Sequence, residues 1–345
     1  VSVVVETSMD VVVFTDARME AHDPGPGHPE RPERLSAARR GAVDAGARDI
    51  RAPRALDEQE ALLVHTQAHL DRLEGVRGRR AALDADTMAS SETIELAYLS
   101  AGAVRDAVMH AVTTAPAIAL SRPPGHHAEP DRAMGFCFLS NVAIAVKVAL
   151  AHGLVERVLV VDWDVHAGNG TERAFVDDGR VLFFDTHQDG IYPETGAIDD
   201  VGRGPGLHRI VNVPLPAGAG DADFAAVYER LLVRAAERFR PDLVVVSAGF
   251  DGHMNDPLAS LALSTRGYAH LCQVVKDIAD RHAHGRIAIA LEGGYDEDAL
   301  ATCVAACARV LHGERAAAIA AAASPDVERV IARVEKTHPS LFADS

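Results

Sequence analysis

Short runs of consecutive apolar, mostly β-branched residues alternate along the chain with longer stretches in which apolar positions recur at helical spacing. The runs at 11–14, 117–120, 158–161, 181–184, 243–246 and 287–291 are too short for helices. They are also too uniformly apolar for a sheet with one face in water, so they read as strands covered on both faces. Helical patterning between them predicts helices over 91–111, 141–151, 223–238, 265–282 and 296–311. This alternation is that of an α/β domain built on a parallel sheet. No linker or repeat divides the chain, so one domain over 1–345 is expected. The alanine-rich stretch 316–323 reads as an outer helix. The opening stretch 1–14 is apolar in two runs broken by Glu6 and Asp10 with no basic segment ahead of it, which reads as strand material rather than a leader.

The segments immediately after the strands carry the chemistry. The run at 117–120 leads into SRPPGHHAE, 158–161 into DWDVHAGNG, 181–184 into DTHQDG, 243–246 into SAGFDGH, and 287–291 into EGGYDED. In open α/β sheets the ligand crevice lies outside the carboxyl ends of the strands, so these segments are expected to converge.

Asp164 and His166, two apart in an extended segment, point to the same side. With Asp251 from another strand end they offer two oxygens and one nitrogen, which suits a catalytic zinc with an open position. Any one of them alone could equally be a polar strand cap. Asp162 shares their face and can support a neighbouring histidine. The adjacent His126 and His127, after a Pro-Pro-Gly turn, suit general acid–base work. Tyr295, after a glycine pair, offers a phenol to an oxyanion, although an ordinary packed tyrosine is the alternative. Gly135 and Phe136, with Tyr192, are candidate walls of a narrow apolar channel. Cys303 and Cys307 read as inert buried thiols, and the glycine-rich segment 201–206 reads as a loop without phosphate-binding character.

Composition narrows the partners. Of 345 residues, 34 are Lys or Arg and 50 are Asp or Glu, a formal charge of −16, and this argues against binding nucleic acid through its phosphates. No stretch reaches the roughly 18 apolar residues of a membrane span, so no membrane partner is expected. Four irregularly spaced cysteines make no disulfide framework, and a reducing cytoplasm is the expected compartment. Seventeen histidines are the unusual feature of the composition, since histidine is the commonest metal ligand.

Taken in order, HDPGPGHPERPERL (22–35), VHTQAHLDRL (64–73), RPPGHHAEPDRAMGFCFLSN (122–141), DWDVHAGNGT (162–171), FFDTHQDGIYPETG (183–196), SAGFDGHMNDPLA (247–259) and LEGGY (291–295) resemble the histone deacetylase and acetylpolyamine amidohydrolase family, in its class II-like bacterial branch. The resemblance covers about residues 20–312 and leaves 313–345 as a C-terminal helical extension. It implies the arginase/deacetylase fold, a single α/β domain with an eight-stranded parallel sheet, and zinc-dependent hydrolysis of an acetamide. Asp164, His166 and Asp251 would bind one Zn²⁺ per subunit, His127 would be the principal base and then acid, His126 would tune the field with Asp162 behind it, and Tyr295 would stabilise the oxyanion. Gly135, Phe136 and Tyr192 would wall an acyl-lysine tunnel, and Arg34 would match an inner-cavity arginine. A structural K⁺ would use Asp162, Asp164, His166, Asp185 and Thr186. A homo-oligomer, dimer or tetramer, is expected.

Four positions depart from the family pattern. Ala167 replaces a histidine beside the metal ligand, and Asp185 stands where serine is common. Asn169 is the class II-like state of a position that is aspartate in class I, which would leave His127 less basic. Leu258 occupies the place of the acidic gatekeeper of polyamine-selective members, which favours acyl-lysine or a neutral small amide. Two rival readings are an arginase-like pair of Mn²⁺ ions, for which Gly168 and His253 stand where aspartates are needed, and a degenerate binder of acylated ligands.

Overall fold

The structure is a computed structural model and describes residues 11–343, so the first ten residues of the apolar opening stretch lie outside the described residues. Eight strands form one sheet: β1 (Val12–Phe14), β2 (Asp49–Arg51), β3 (Ala117–Ala119), β4 (Val158–Asp162), β5 (Val181–Gln188), β6 (Ile210–Leu215), β7 (Leu243–Ala248) and β8 (Ile287–Leu291). Their order is β2-β1-β3-β8-β7-β4-β5-β6, and every pairing is parallel. β3, β4, β5, β7 and β8 are buried at every position, which is why they appear in the sequence as unbroken apolar runs. The two strands absent from the apolar pattern are the sheet edges. β2 is largely exposed, and β6 carries Asn212 and Pro214, which an edge strand tolerates.

Helices cover both faces: α1 (Glu33–Asp44), α2 (Thr93–Thr113), α3 (Asn141–Ala151), α4 (Asn169–Phe175), α5 (Thr265–His282), α6 (Glu297–Leu311) and α7 (Pro325–Thr337). The segment expected to be helical over 223–238 is helical from Asp221 to Phe239, with a turn of π-helix at Tyr228–Leu232. The expected helix at 316–323 is absent, because its backbone is held by other elements. Ala316 N–H donates to Gln273 Oε1, Ala322 N–H to the Ala222 carbonyl and Ser324 N–H to Asp223 Oδ1, and these bonds outweigh alanine's helix propensity. The helix begins at Pro325 instead. No helix among the described residues is long and apolar enough to cross a membrane.

The topology places the site. After β3 the chain skips two strand positions to lay down β4, and β7 and β8 later fill the gap. The carboxyl ends of β3, β8, β7 and β4 are therefore side by side although their sequences span residues 117–291, which gives the crevice expected of such a sheet.

Candidate functional site

β4 ends in Asp162, and the segment leaving it brings Asp164 and His166 to face Asp251, three residues beyond β7. One ligand atom from each of Asp164, His166 and Asp251 lies within 4.8 Å of the others. His166 Nδ1 is 3.1 Å from Asp164 Oδ1 and 3.3 Å from Asp251 Oδ2. Backbone N–H groups orient both carboxylates: Gly293 N–H donates to Asp164 Oδ2 at 2.8 Å, and Val165 N–H to Asp251 Oδ1 at 2.9 Å. Asp251 Oδ2 is buried without a hydrogen-bond partner, an oxygen left for a ligand. Burial works against a charged His166, yet the neighbouring Asp164 and Asp251 carboxylates push its pKa up to about 10. A Cβ at Gly293 would fall 2.1 Å from Asp251 Oδ2, so only glycine leaves that oxygen accessible. Two carboxylates and one imidazole around an unshared oxygen are a donor set that fits a divalent zinc.

The loop after β3 delivers the histidine pair. Glu292 Oε2, at the end of β8, accepts from Gly125 N–H at 2.7 Å and His126 N–H at 3.2 Å, pinning the turn to the neighbouring strand. The two rings lie 4.0 Å apart with different partners. His126 Nδ1 is 3.1 Å from Asp162 Oδ2, whereas His127 Nδ1 is 2.8 Å from Asn169 Oδ1. Burial opposes charge on both. Asp164 and Asp162 overcome it at His126 and raise its pKa well above the usual range. At His127 burial is reinforced by the charges of His126 and His166, and its pKa falls well below. His126 is thus the more basic imidazole of the pair and His127 the less basic.

These residues floor a pocket of about 160 Å³ lined by Gly135, Phe136, Tyr192, Leu258, Gly293 and Tyr295, with Asp86 and Pro124. Gly135 and Phe136 both have positive φ, 56° and 66°, and Phe136 N–H donates to Thr87 Oγ1 at 3.1 Å. That turn needs its glycine, because a Cβ at Gly135 would lie 2.4 Å from His127 Cδ2. Tyr192 stands edge-on to His127, 5.1 Å between centroids, and Phe136 edge-on to Tyr295 at 6.1 Å. Leu258 and Tyr192 are part exposed at the rim, 39% and 37%. Asp256 ties rim to floor: its Oδ1 accepts from Leu258 N–H at 3.0 Å and its Oδ2 from Tyr295 N–H at 2.6 Å.

Residues 28–311 match the histone deacetylase domain. The chain belongs to the histone deacetylase family. A probable deacetylase of Archaeoglobus fulgidus is 37% identical over 82% of this chain and 80% of its own length. The histone deacetylase-like amidohydrolase of Pseudomonas aeruginosa is 42% identical over 77% of this chain and 71% of its own. Chloroplastic histone deacetylase 14 of Arabidopsis thaliana is 44% identical over 66% of this chain, which spans 56% of that relative's length. The crystal structure of the HDA15 HD domain superposes with a TM-score of 0.89 at 34% identity, covering 97% of this chain and 96% of that one.

Within this histone deacetylase fold, Arg34 is not among the residues lining the pocket described above. Its guanidinium is buried behind Tyr295, where it donates to the carbonyls of Gly294 and Glu292, both at 2.6 Å, and to Glu30 Oε1 at 2.8 Å. Of the residues expected around K⁺, Asp162, Asp185 and Thr186 lie on the adjacent strands β4 and β5. Thr186 Oγ1 donates to the Asp162 carbonyl, and Asp185 accepts from Gly168 N–H while its other oxygen lies 3.0 Å from His187 Nδ1. Ala167 is buried, and Asp164, His166 and Asp251 are the one clustered metal-ligand group among the described residues.

Several residues that build the site escaped sequence reasoning. Glu30, fully buried, bonds both Arg34 and Arg122, with Arg122 Nη2 at 2.6 Å. Asp256, Glu292 and Glu129 each hold backbone or side chains of the site without facing the pocket themselves. The available signal was acidic residues inside apolar, glycine-rich motifs, where burial without a partner would be costly.

Proposed function

We propose that the protein is a zinc-dependent deacetylase that hydrolyses N-acyl amides, with acetyl-lysine as the principal substrate class. The observation that carries this reading is the cluster of Asp164, His166 and Asp251, whose His166 lines a narrow aromatic-walled pocket. Bound by those three residues, zinc supplies Lewis acidity to the amide carbonyl and to water.

The chain's own residues do the rest. The His127 Nδ1–H donates to Asn169 Oδ1, so Nε2 carries the lone pair and takes the proton of the attacking water. His127 then returns that proton to the leaving nitrogen, which departs as an amine. His126, hydrogen-bonded to Asp162, tunes the field at the carbonyl oxygen where negative charge develops. The phenol of Tyr295, held by burial in its protonated form, donates to the same oxygen. Phe136 and Tyr192 keep water from the stem of the substrate. The potassium ion is part of the same proposal, at Asp162, Asp164, His166, Asp185 and Thr186. The four cysteines are free and buried, which fits a cytoplasmic enzyme.

A second reading, a hydrolase of small neutral amides, is favoured by the uncharged rim residue Leu258. The deciding experiment is kcat/KM for acetyl-lysine peptides, acetylpolyamines and aryl amides, with zinc and manganese measured on the same sample. Highest turnover on acetyl-lysine with one zinc per chain is expected. Highest turnover on aryl amides selects the second reading, and no turnover with zinc bound rejects both.

A further inference from the structure

The orientation of Asn169 is set from behind. Its Nδ2 donates to Glu129 Oε1 at 2.8 Å, and also lies 3.4 Å from the His127 carbonyl and 3.4 Å from Met134 Sδ. The O and N of an amide side chain are ordinarily interchangeable by a half-turn. Here they are not, because an ionised carboxylate accepts and never donates, and a flipped Asn169 would press its oxygen against Glu129. Glu129 is itself fixed. Only 8% of it is exposed, its backbone closes a tight turn with Arg132 through reciprocal N–H···O bonds of 3.0 and 3.3 Å, and Thr66 N–H holds the intervening Pro130 carbonyl at 2.8 Å. Arg132 lies 3.4 Å from the same Oε1.

With its Nδ2 committed to Glu129, Asn169 can offer His127 only an oxygen. His127 Nδ1 must then carry the hydrogen, and Nε2 is left as the acceptor that faces the pocket. An unconstrained asparagine would let the imidazole adopt either tautomer, and the Nε2–H form cannot take a proton from water.

We propose that Glu129 is a positioning residue that selects the base-competent tautomer of His127 by locking the Asn169 amide. The assignment rests on the reading of His127 as the general base. It also makes Glu129 and Asn169 a matched pair: an aspartate at 169 accepts from His127 without help, and would meet Glu129 as a second carboxylate across the present 2.8 Å contact.

The test uses the full chain labelled with ¹⁵N-histidine, with His127 assigned by the loss of its signals in His127→Gln. In the unmodified protein His127 is expected as the Nδ1–H tautomer. Glu129→Gln, whose amide can either donate or accept, should give a mixture of tautomers and a kcat about tenfold lower with KM unchanged, within the range of a general-base contribution. In an Asn169→Asp background the same Glu129→Gln change should instead raise kcat, because it removes the carboxylate contact. This reversal of sign is not expected of a residue that merely stabilises the fold. An unchanged tautomer in Glu129→Gln, or an equal loss of kcat in both backgrounds, overturns the proposal. The tautomer is read without turnover, so a chain that hydrolyses no amide defeats the proposed function while the spectrum still decides the role of Glu129.

Discussion

The guanidinium of Arg34 lies over the ring of Tyr295, 4.8 Å from its centroid, while donating to the carbonyls on either side of Gly293. One buried cation thus fixes both the tyrosine ring and the peptide that carries it. Its charge is balanced by Glu30, which would be left partly uncompensated if Arg34 were removed. Arg34→Met is therefore expected to cost about 3–5 kcal/mol of stability, the usual penalty for breaking a buried ion pair. Urea denaturation measures this, and a loss under about 1 kcal/mol would show that Arg122 alone satisfies Glu30.

Tyr295 should act on the transition state and little on binding. Its backbone is held by Asp256 and its ring by Arg34, so Tyr295→Phe keeps the packing and deletes one donor. The expected result is a fall of about 10²–10³ in kcat with KM within a factor of two, as for removal of an oxyanion donor. Steady-state kinetics on an acetyl-lysine peptide checks it. A raised KM with normal kcat would assign the phenol to substrate binding.

Metal binding should register as stability, because Asp164, His166 and Asp251 come from two strand ends that the unfolded chain does not hold together. At a hundredfold excess over Kd, zinc is expected to add about 2.7 kcal/mol. Chelator-treated protein should melt several degrees lower by calorimetry and recover on zinc addition. Asp251→Asn should abolish the recovery without unfolding the chain, since its Oδ1 can still accept from Val165 N–H. Full recovery in that variant would mean the ion sits elsewhere.

How far these residues could be seen in the sequence depends on where their partners lie. His126, Asp164, Asp251 and Tyr295 stand directly after apolar strands, so an abrupt change from buried to polar marks each. Asn169 was visible only through family resemblance, and Glu129 not at all, because its partner is 40 residues away and its own neighbours, Pro130 and Asp131, look like an ordinary turn. Glu30 reaches Arg122 across 92 residues, beyond any local pattern. The outermost strand β6 was hidden because Asn212 breaks its apolar run, and that buried residue donates to Glu172 and to the Ala197 carbonyl. Local periodicity reports which face an element buries; it carries no record of which distant group satisfies a polar atom within that face.

The last prediction concerns acid stability and a histidine outside the catalytic pair. His65 is 3% exposed, and its Nε2 accepts from Ser140 N–H at 2.9 Å, just ahead of α3. A protonated Nε2 could not accept that bond. Burial, reinforced by the neighbouring charge of His69, lowers the His65 pKa from 6.5 to about 3. Between those values the unfolded chain binds the proton and the folded chain does not, so unfolding is favoured by acid. The contribution of His65 is fully present above pH 6.5 and is lost as pH falls toward 3, at up to about 1.4 kcal/mol per pH unit. His65→Gln retains an acceptor oxygen but does not titrate. The stability advantage of the unmodified chain over this variant should shrink by about 1.6 kcal/mol between about pH 6.5 and 5 in urea titrations. An advantage that stays constant across that interval would place the acid sensitivity at other groups.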